Sequence, residues 1–290
     1  MHWQTSRFLI DLGRPRVMGI VNTTPDSFAD GGRYASADAA IAHCEQLLRE
    51  GADILDIGGE STRPGARQPD LAEELARVLP VLRQAVTLGV PVSVDTSRPE
   101  IMRVALDLGA DIVNDVRSLS RPGALAVVAA HPGCGVCLMH MQGEPCAMQQ
   151  SPAYAGDVVA QVRAWLDRRL RQVHAAGVAL DRITLDPGIG FGKTPEHNWA
   201  LLRRQAELLT LGRPLLLGWS RKSTLGALTG RPVDQRLVPS VAAALACVQR
   251  GGQVVRVHDV AATVDALKVW GAAGLLADHN PGLRTGTSTT

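Results

Sequence analysis

The chain has 290 residues, 46% of them apolar and 20% charged, a balance that supplies a large core and argues against a disordered chain. The formal net charge of +2 sits on no basic run, so neither nucleic acid nor a membrane surface is expected as a partner. Residues 1–17 lack the apolar centre of a signal peptide, and no apolar stretch reaches the roughly 20 residues that span a bilayer; a soluble, cytoplasmic protein is expected.

Short apolar runs alternate with longer amphipathic ones from end to end. The first strand is predicted at 16–22 (RVMGIVN), followed by a loop at 23–34 and a helix at 36–50. A second strand at 53–59 (DILDIGG) leads into a second long loop at 60–69 and a helix at 70–88. Strands at 91–96 (PVSVDT) and 112–116 (IVNDV) precede helices at 98–108 and around 122–131, the last being the weakest helical pattern. The remaining strands are predicted at 135–140, 183–188, 214–220 and 254–259, with helices at 157–176, 195–211, 235–250 and 261–277. Gly51, Gly89, Gly109, Gly177 and Gly212 stand where a left-handed residue would end a helix.

Eight β-then-α units predict a closed parallel (β/α)₈ TIM barrel, for which about 250 residues is typical. An open doubly wound sheet would show an early G-x-G-x-x-G turn, and none follows the first strand. The barrel is expected to occupy 1–279 as one domain. The small, polar segment 280–290 reads as a disordered tail.

Five scattered cysteines read as reduced thiols. Cys134 and Cys137 form a C-x-x-C, but no second ligand pair has zinc spacing, and Cys137 lies inside an apolar run. Of 30 basic residues only Lys193, Lys222 and Lys268 are lysines, which draws attention to those in Gly- and Ser-rich loops. The segment 187–193 (PGIGFGK) lacks the spacing of a phosphate loop.

In such a barrel the C-terminal strand ends share one rim. Here they carry Asn22, Asp56 to Glu60, Asp95, Asn114 with Asp115, His140, Asp186, Ser220 with Lys222, and Arg256 with His258. Any one of these fits a polar residue capping the next helix; eight together point to a site. Arg256 and His258, two apart on a strand, share a side and suit phosphate oxygens. Asn22 offers a neutral oxygen to a hard cation such as Mg²⁺. Asp95, Asn114 and Asp186 suit a heterocycle rich in N–H donors, with Lys222 donating to a ring carbonyl or nitrogen. The two long loops read as mobile lids in which Phe28 and Pro64 close a dry pocket over an aromatic co-substrate and Arg63 meets its carboxylate.

At these residues the chain resembles the dihydropteroate synthase family. The resemblance is carried by MGIVNTTPDSFADGG (18–32), GADILDIGGESTRPGA (51–66), VSVDTSRPE (92–100), DIVNDVRSL (111–119), LMHMQGEP (138–145), LDPGIGFGKTPEHN (185–198), SRKS (220–223) and VVRVHDV (254–260). Thr23, where the family suggests Val, and the bulky Trp219 are slight departures. The resemblance implies that a pterin pyrophosphate is joined to 4-aminobenzoate with release of pyrophosphate, and that sulfonamides compete. It implies pterin contacts from Thr62, Asp95, Asn114, Asp186, Lys222 and Arg256, with Asn22, Arg256 and His258 on the pyrophosphate. Phe28, Arg63, Pro64, Ser220 and Arg221 would surround the aminobenzoate, and Asn22 with Asp26 would serve Mg²⁺. Asp95, Lys222, Arg256 and His258 are the expected catalytic residues, and a homodimer is the expected assembly. Two other readings compete: a diverged pterin-binding paralogue without synthase activity, and a pterin-dependent methyltransferase, which has no use for the SRKS and RVH anion site.

Overall fold

The computed structural model describes residues 1–23, 32–60, 67–145 and 147–276. Its elements in chain order are β1 (His2–Gln4), β2 (Leu9–Asp11), β3 (Arg16–Asn22), α1 (Gly32–Arg49), β4 (Ile54–Gly58), α2 (Leu71–Ala85), β5 (Val92–Asp95) and α3 (Pro99–Asp107). There follow β6 (Ile112–Asp115), α4 (Ala124–Ala130), β7 (Gly135–Met139), α5 (Val158–Ala175), β8 (Ile183–Asp186), α6 (Pro195–Arg203) and α7 (Ala206–Leu209). The chain continues with β9 (Leu216–Leu217), α8 (Ser223–Thr229), α9 (Leu237–Gln249), β10 (Val254–Val257) and α10 (Val260–Ala272).

Eight strands pair in the order β8-β7-β6-β5-β4-β3-β10-β9, all in parallel. The ring closes through a parallel bridge between Leu185 and Leu215, with the Leu185 N–H donating to Pro214 O at 2.9 Å. The expected eight-stranded barrel is therefore the fold. Its outer wall is built from strand positions such as Val17, Leu55, Val94 and Val136, which pack against Leu47, Val78, Ile101 and Leu166 of the helices. Helix starts follow local chemistry. Asp70 caps α2 by accepting from Glu73 N, and Thr194 with His197 forms a capping box at α6.

Three features differ from the sequence reading. Residues before the first barrel strand form a hairpin, β1–β2, whose Trp3, Ile10 and Leu12 pack with the barrel-interior residues Met18, Ile54, Ile112, Cys137, Leu216 and Val254. This apolar plug closes the end away from the rim, and Trp3 Nε1 donates to Arg182 O at 2.9 Å. Second, the helix expected at 195–211 is two helices, α6 and α7. Third, α8 follows β9 directly; its seven residues are too few to show a helical period in the sequence. The loop positions 24–31 and 61–66 and the tail fall outside the described residues.

Cys134 and Cys137 join different clusters on the two sides of the sheet. Both are buried and unpaired, and burial pushes both thiols up, which suits packing residues.

Candidate active site

Alternation along the strands decides which side chains reach the mouth. Ile54, Ile112 and Val254 belong to the interior plug, so Asp56, Asn114 and Arg256, each two residues further on, form the next layer toward the rim. Asp95 stands two beyond Ser93, Asp186 two beyond Thr184, and Asn22 four beyond Met18. An apolar floor thus carries a ring of polar groups.

Arg256 is the centre of that ring. Its Nε donates to Asp56 Oδ2 at 2.6 Å and its Nη2 to Asp95 Oδ2 at 2.8 Å, while Asn114 Nδ2 donates to the same Asp56 oxygen at 3.1 Å. From the sequence Asp56 is one strand-end polar residue among several, with no separate role. Its aspartate within DILDIG, flanked by apolar residues on a strand, was the available signal. Among the described residues, Asp56 Oδ1, Ser93 Oγ and Thr184 Oγ1 are buried without a hydrogen-bond partner. Of these only the Asp56 oxygen belongs to the polar ring, and a ligand that brings N–H donors to the mouth would answer it.

Charge in this ring is strongly shifted. Burial pushes Asp95 up, against the attraction of Arg256 and with the repulsion of Asp56 behind it. Burial also raises Asp186, opposed by the Gly188 N–H, 2.7 Å from its Oδ1, and by Lys222. Lys222 is depressed to about 8 by burial, with Asp186 opposing. Burial works against the Arg256 charge, but Asp56 and Asp95 outweigh it and hold the guanidinium firmly protonated. Shifted groups of both signs around one cavity mouth are the electrostatic mark of a binding or catalytic site.

The PGIGFGK segment builds one wall. The Lys222 ammonium lies 4.2 Å from the centroid of the Phe191 ring, a cation–π contact. Lys193, also flagged in the sequence, has a different task. It is buried, with Nζ at 2.9 Å from His140 Nδ1, 3.0 Å from Gly188 O, 3.1 Å from Phe191 O and 3.2 Å from His140 O. It ties this loop to the end of β7. A Cβ on Gly188 would lie 1.9 Å from His140 O and one on Gly192 2.2 Å from Gln142 O, both at positive φ, so only glycine allows the loops to meet this closely.

Two strands round the ring from β8, His258 follows β10 and pairs with Ser220, which follows β9. Ser220 Oγ is 2.9 Å from His258 Nδ1 and accepts the His258 backbone N–H at 3.1 Å. Burial, together with Arg256, Arg221 and Lys222, depresses His258 to about 3. Arg221, held at φ +58°, makes an ion pair with Asp259, Nη2–Oδ1 2.5 Å. Trp219 is buried against Trp199, ring centroids 4.9 Å apart, behind this loop. The structure therefore gathers Asn22, Asp95, Asn114, Asp186, Ser220, Lys222, Arg256 and His258 on one rim. Asp26, Phe28, Thr62, Arg63 and Pro64 lie at 24–31 and 61–66, outside the described residues.

A parallel barrel whose mouth joins a carboxylate–guanidinium ring to an Arg–His anion corner defines an enzyme for a nitrogen-rich, anionic small molecule. The family model described as pterin binding enzyme matches residues 18–258. The chain is 56% identical over 279 residues to dihydropteroate synthase of Neisseria meningitidis serogroup B, covering 94% of this chain and 98% of that one. It is 48% identical to dihydropteroate synthase of Escherichia coli K12, with 90% and 92% covered. Among solved structures, Yersinia pestis dihydropteroate synthase in complex with a sulfonamide drug superposes with a TM-score of 0.89 at 44% identity, covering 94% and 99% of the two chains. The Xanthomonas albilineans enzyme with 7,8-dihydropteroate gives 0.83 at 47%, covering 92% and 96%. The chain belongs to the dihydropteroate synthase family of pterin-binding enzymes.

Proposed function

We propose that the chain condenses 6-hydroxymethyl-7,8-dihydropterin pyrophosphate with 4-aminobenzoate to give 7,8-dihydropteroate and pyrophosphate. The observation that carries this reading is Arg256, bound to Asp56 and Asp95 on one side and two residues from His258 on the other. It stands at the seam between a carboxylate-lined pocket for the heterocycle and an anion corner for the diphosphate.

Each group has work to do. Asp95, Asn114 and Asp186 pair with the N–H donors of the pterin, and Lys222 donates to its carbonyl or ring nitrogen. The aromatic amine attacks the exocyclic CH₂ as the C–O bond to diphosphate breaks; its displaced proton leaves to solvent or product oxygen. The leaving group calls for charge neutralisation more than for a general acid; Arg256 supplies it, and His258 adds a hydrogen bond. Positive charge developing on the pterin is stabilised by Asp95 and Asp186. An aniline nitrogen is a neutral nucleophile at pH 7, so position matters more than a base. Phe28, Arg63, Pro64, Ser220 and Arg221 are assigned to the aminobenzoate.

Mg²⁺ fits this rim. Asn22 ends β3 on the interior side and offers a neutral amide oxygen, and Mg²⁺ takes few protein ligands when substrate phosphates complete its shell. Asn22, with Asp26, would hold it, and the chemistry it supplies when bound is neutralisation of the diphosphate.

The chain is further assigned as a cytoplasmic homodimer. The four described cysteines are unpaired thiols, as in a reducing compartment. Among the described residues no helix is long and apolar enough to cross a membrane. Leu228 of α8, Val238 of α9 and Val269 of α10 are each at least two-thirds exposed, on helices of which α9 contacts both α8 and α10, and a second copy would cover such apolar side chains. Sedimentation of the wild type and of Val238→Lys tests the pairing; a monomeric wild type contradicts it. A coupled pyrophosphate-release assay, run with and without aminobenzoate and Mg²⁺, tests the activity. Release that needs both additions supports the synthase, and none under any condition favours a paralogue that only binds pterin.

A further inference from the structure

Ser220 and His258 meet twice. The backbone N–H of His258 donates to Ser220 Oγ at 3.1 Å, and the same hydroxyl lies 2.9 Å from His258 Nδ1. A serine hydroxyl has one proton and two lone pairs. The backbone bond occupies one lone pair, and because Ser220 is buried its proton needs an acceptor. Among the described residues His258 Nδ1 is the acceptor within reach.

We propose that Ser220 sets the tautomer of His258: Oγ–H donates to Nδ1, so that the ring proton resides on Nε2 and is offered to the leaving diphosphate. The opposite arrangement, with Nδ1–H donating to Oγ, strands the buried hydroxyl proton and turns a bare Nε2 lone pair toward the anion. The choice matters because the ring is neutral in this setting: burial and the cations Arg256, Arg221 and Lys222 disfavour a second proton, and Asp259 only partly offsets them. A neutral imidazole has one N–H to give, and its partner decides which nitrogen gives it. Ser220 is thereby a positioning residue that acts through His258. The tautomer assignment is independent of the synthase reading, whereas its use toward diphosphate rests on that reading.

Nitrogen NMR of the full chain with ¹⁵N-labelled histidine, in the absence of substrate and with His258 assigned from a His258→Gln sample, reads the tautomer. The wild type is expected to show a protonated-type Nε2 and an unprotonated-type Nδ1. Ser220→Ala is expected to lose that signature and Ser220→Thr, which keeps the hydroxyl, to restore it. In titrations with inorganic pyrophosphate, Ser220→Ala should bind about tenfold more weakly, the loss of one charge-assisted hydrogen bond, with recovery in Ser220→Thr. Binding of 6-hydroxymethylpterin, which carries no phosphate, should be unchanged. A wild-type ring protonated on Nδ1, or a Ser220→Ala protein with the wild-type signature, overturns the proposal. A lost signature with unaltered pyrophosphate affinity overturns the diphosphate contact and leaves the tautomer assignment standing.

Discussion

Arg256 on β10 reaches past β3 to Asp56 on β4, 200 residues earlier in the chain, and closes a 2.6 Å bond from its Nε to Asp56 Oδ2. Asp56 is fully buried and Arg256 about three-quarters so. A pair of this kind does little for net stability, because desolvation offsets the attraction. Its value is orientation: Asp56 fixes one edge of the guanidinium, Asp95 another, and the planar fork is held for a ligand.

The first prediction concerns this bond. Asp56→Asn keeps the shape of the side chain but removes the charge that aims Arg256. The expected loss in kcat/KM is on the order of 100-fold, or ~3 kcal/mol, the scale for breaking a buried charged pair. Steady-state kinetics with far-UV circular dichroism checks it: the fold should survive. An activity within threefold of wild type would show that Arg256 needs no such guide.

The second is a pH profile. The protonated form of Lys222 donates to the pterin, and burial depresses that group to about 8. The active cation is therefore present below about 8 and lost as pH rises through it, so kcat/KM should show an alkaline limb there. Lys222→Arg carries a charge that does not titrate in this range and should move the limb upward, with a lower plateau because its flat head fits the Phe191 ring differently. An unmoved limb would assign the titration to another group.

A third prediction separates stability from catalysis. Trp3 is fully buried in the plug and bonded to Arg182 O. Trp3→Ala should cost about 3–5 kcal/mol of stability, read by denaturant unfolding, since it opens a large cavity. The plug lies at the end of the barrel away from the rim, so KM for both substrates should stay near wild type at low temperature.

The fourth tests the close meeting of two rim loops. Gly188→Ala places a methyl group 1.9 Å from His140 O at φ +68°. Backbone must move, and Phe191 and Lys193 move with it. Thermal unfolding should show a loss of about 2–4 kcal/mol, and pterin affinity should fall as well. A variant with the wild-type melting temperature would show that the contact relaxes freely.

The alternation of apolar runs made the barrel legible, and with it the strand ends that carry Asp95, Asn114, Asp186, Arg256 and His258. The period of 2 along a strand is enough to put Arg256 and His258 on one side. The pairing of Asp56 with Arg256 was not legible, because a barrel brings first and last strands together through closure rather than through nearness in sequence. Nor was the task of Lys193: a lysine in a glycine-rich loop reads as a ligand contact, and only its four nearby acceptors show it to be a tie between loops. The hairpin plug escaped because three-residue strands are too short to display a period.

The central claim is that the ring around Arg256 turns pterin pyrophosphate and an aromatic amine into product. Pyrophosphate release by the wild type and by Arg256→Ala, measured side by side with both substrates and Mg²⁺, tests it most directly. The expected result is one pyrophosphate released for each aminobenzoate consumed, and a rate lowered on the order of 100-fold or more in the variant, whose fold is retained. Release that proceeds equally without aminobenzoate, or full activity in Arg256→Ala, would contradict the account.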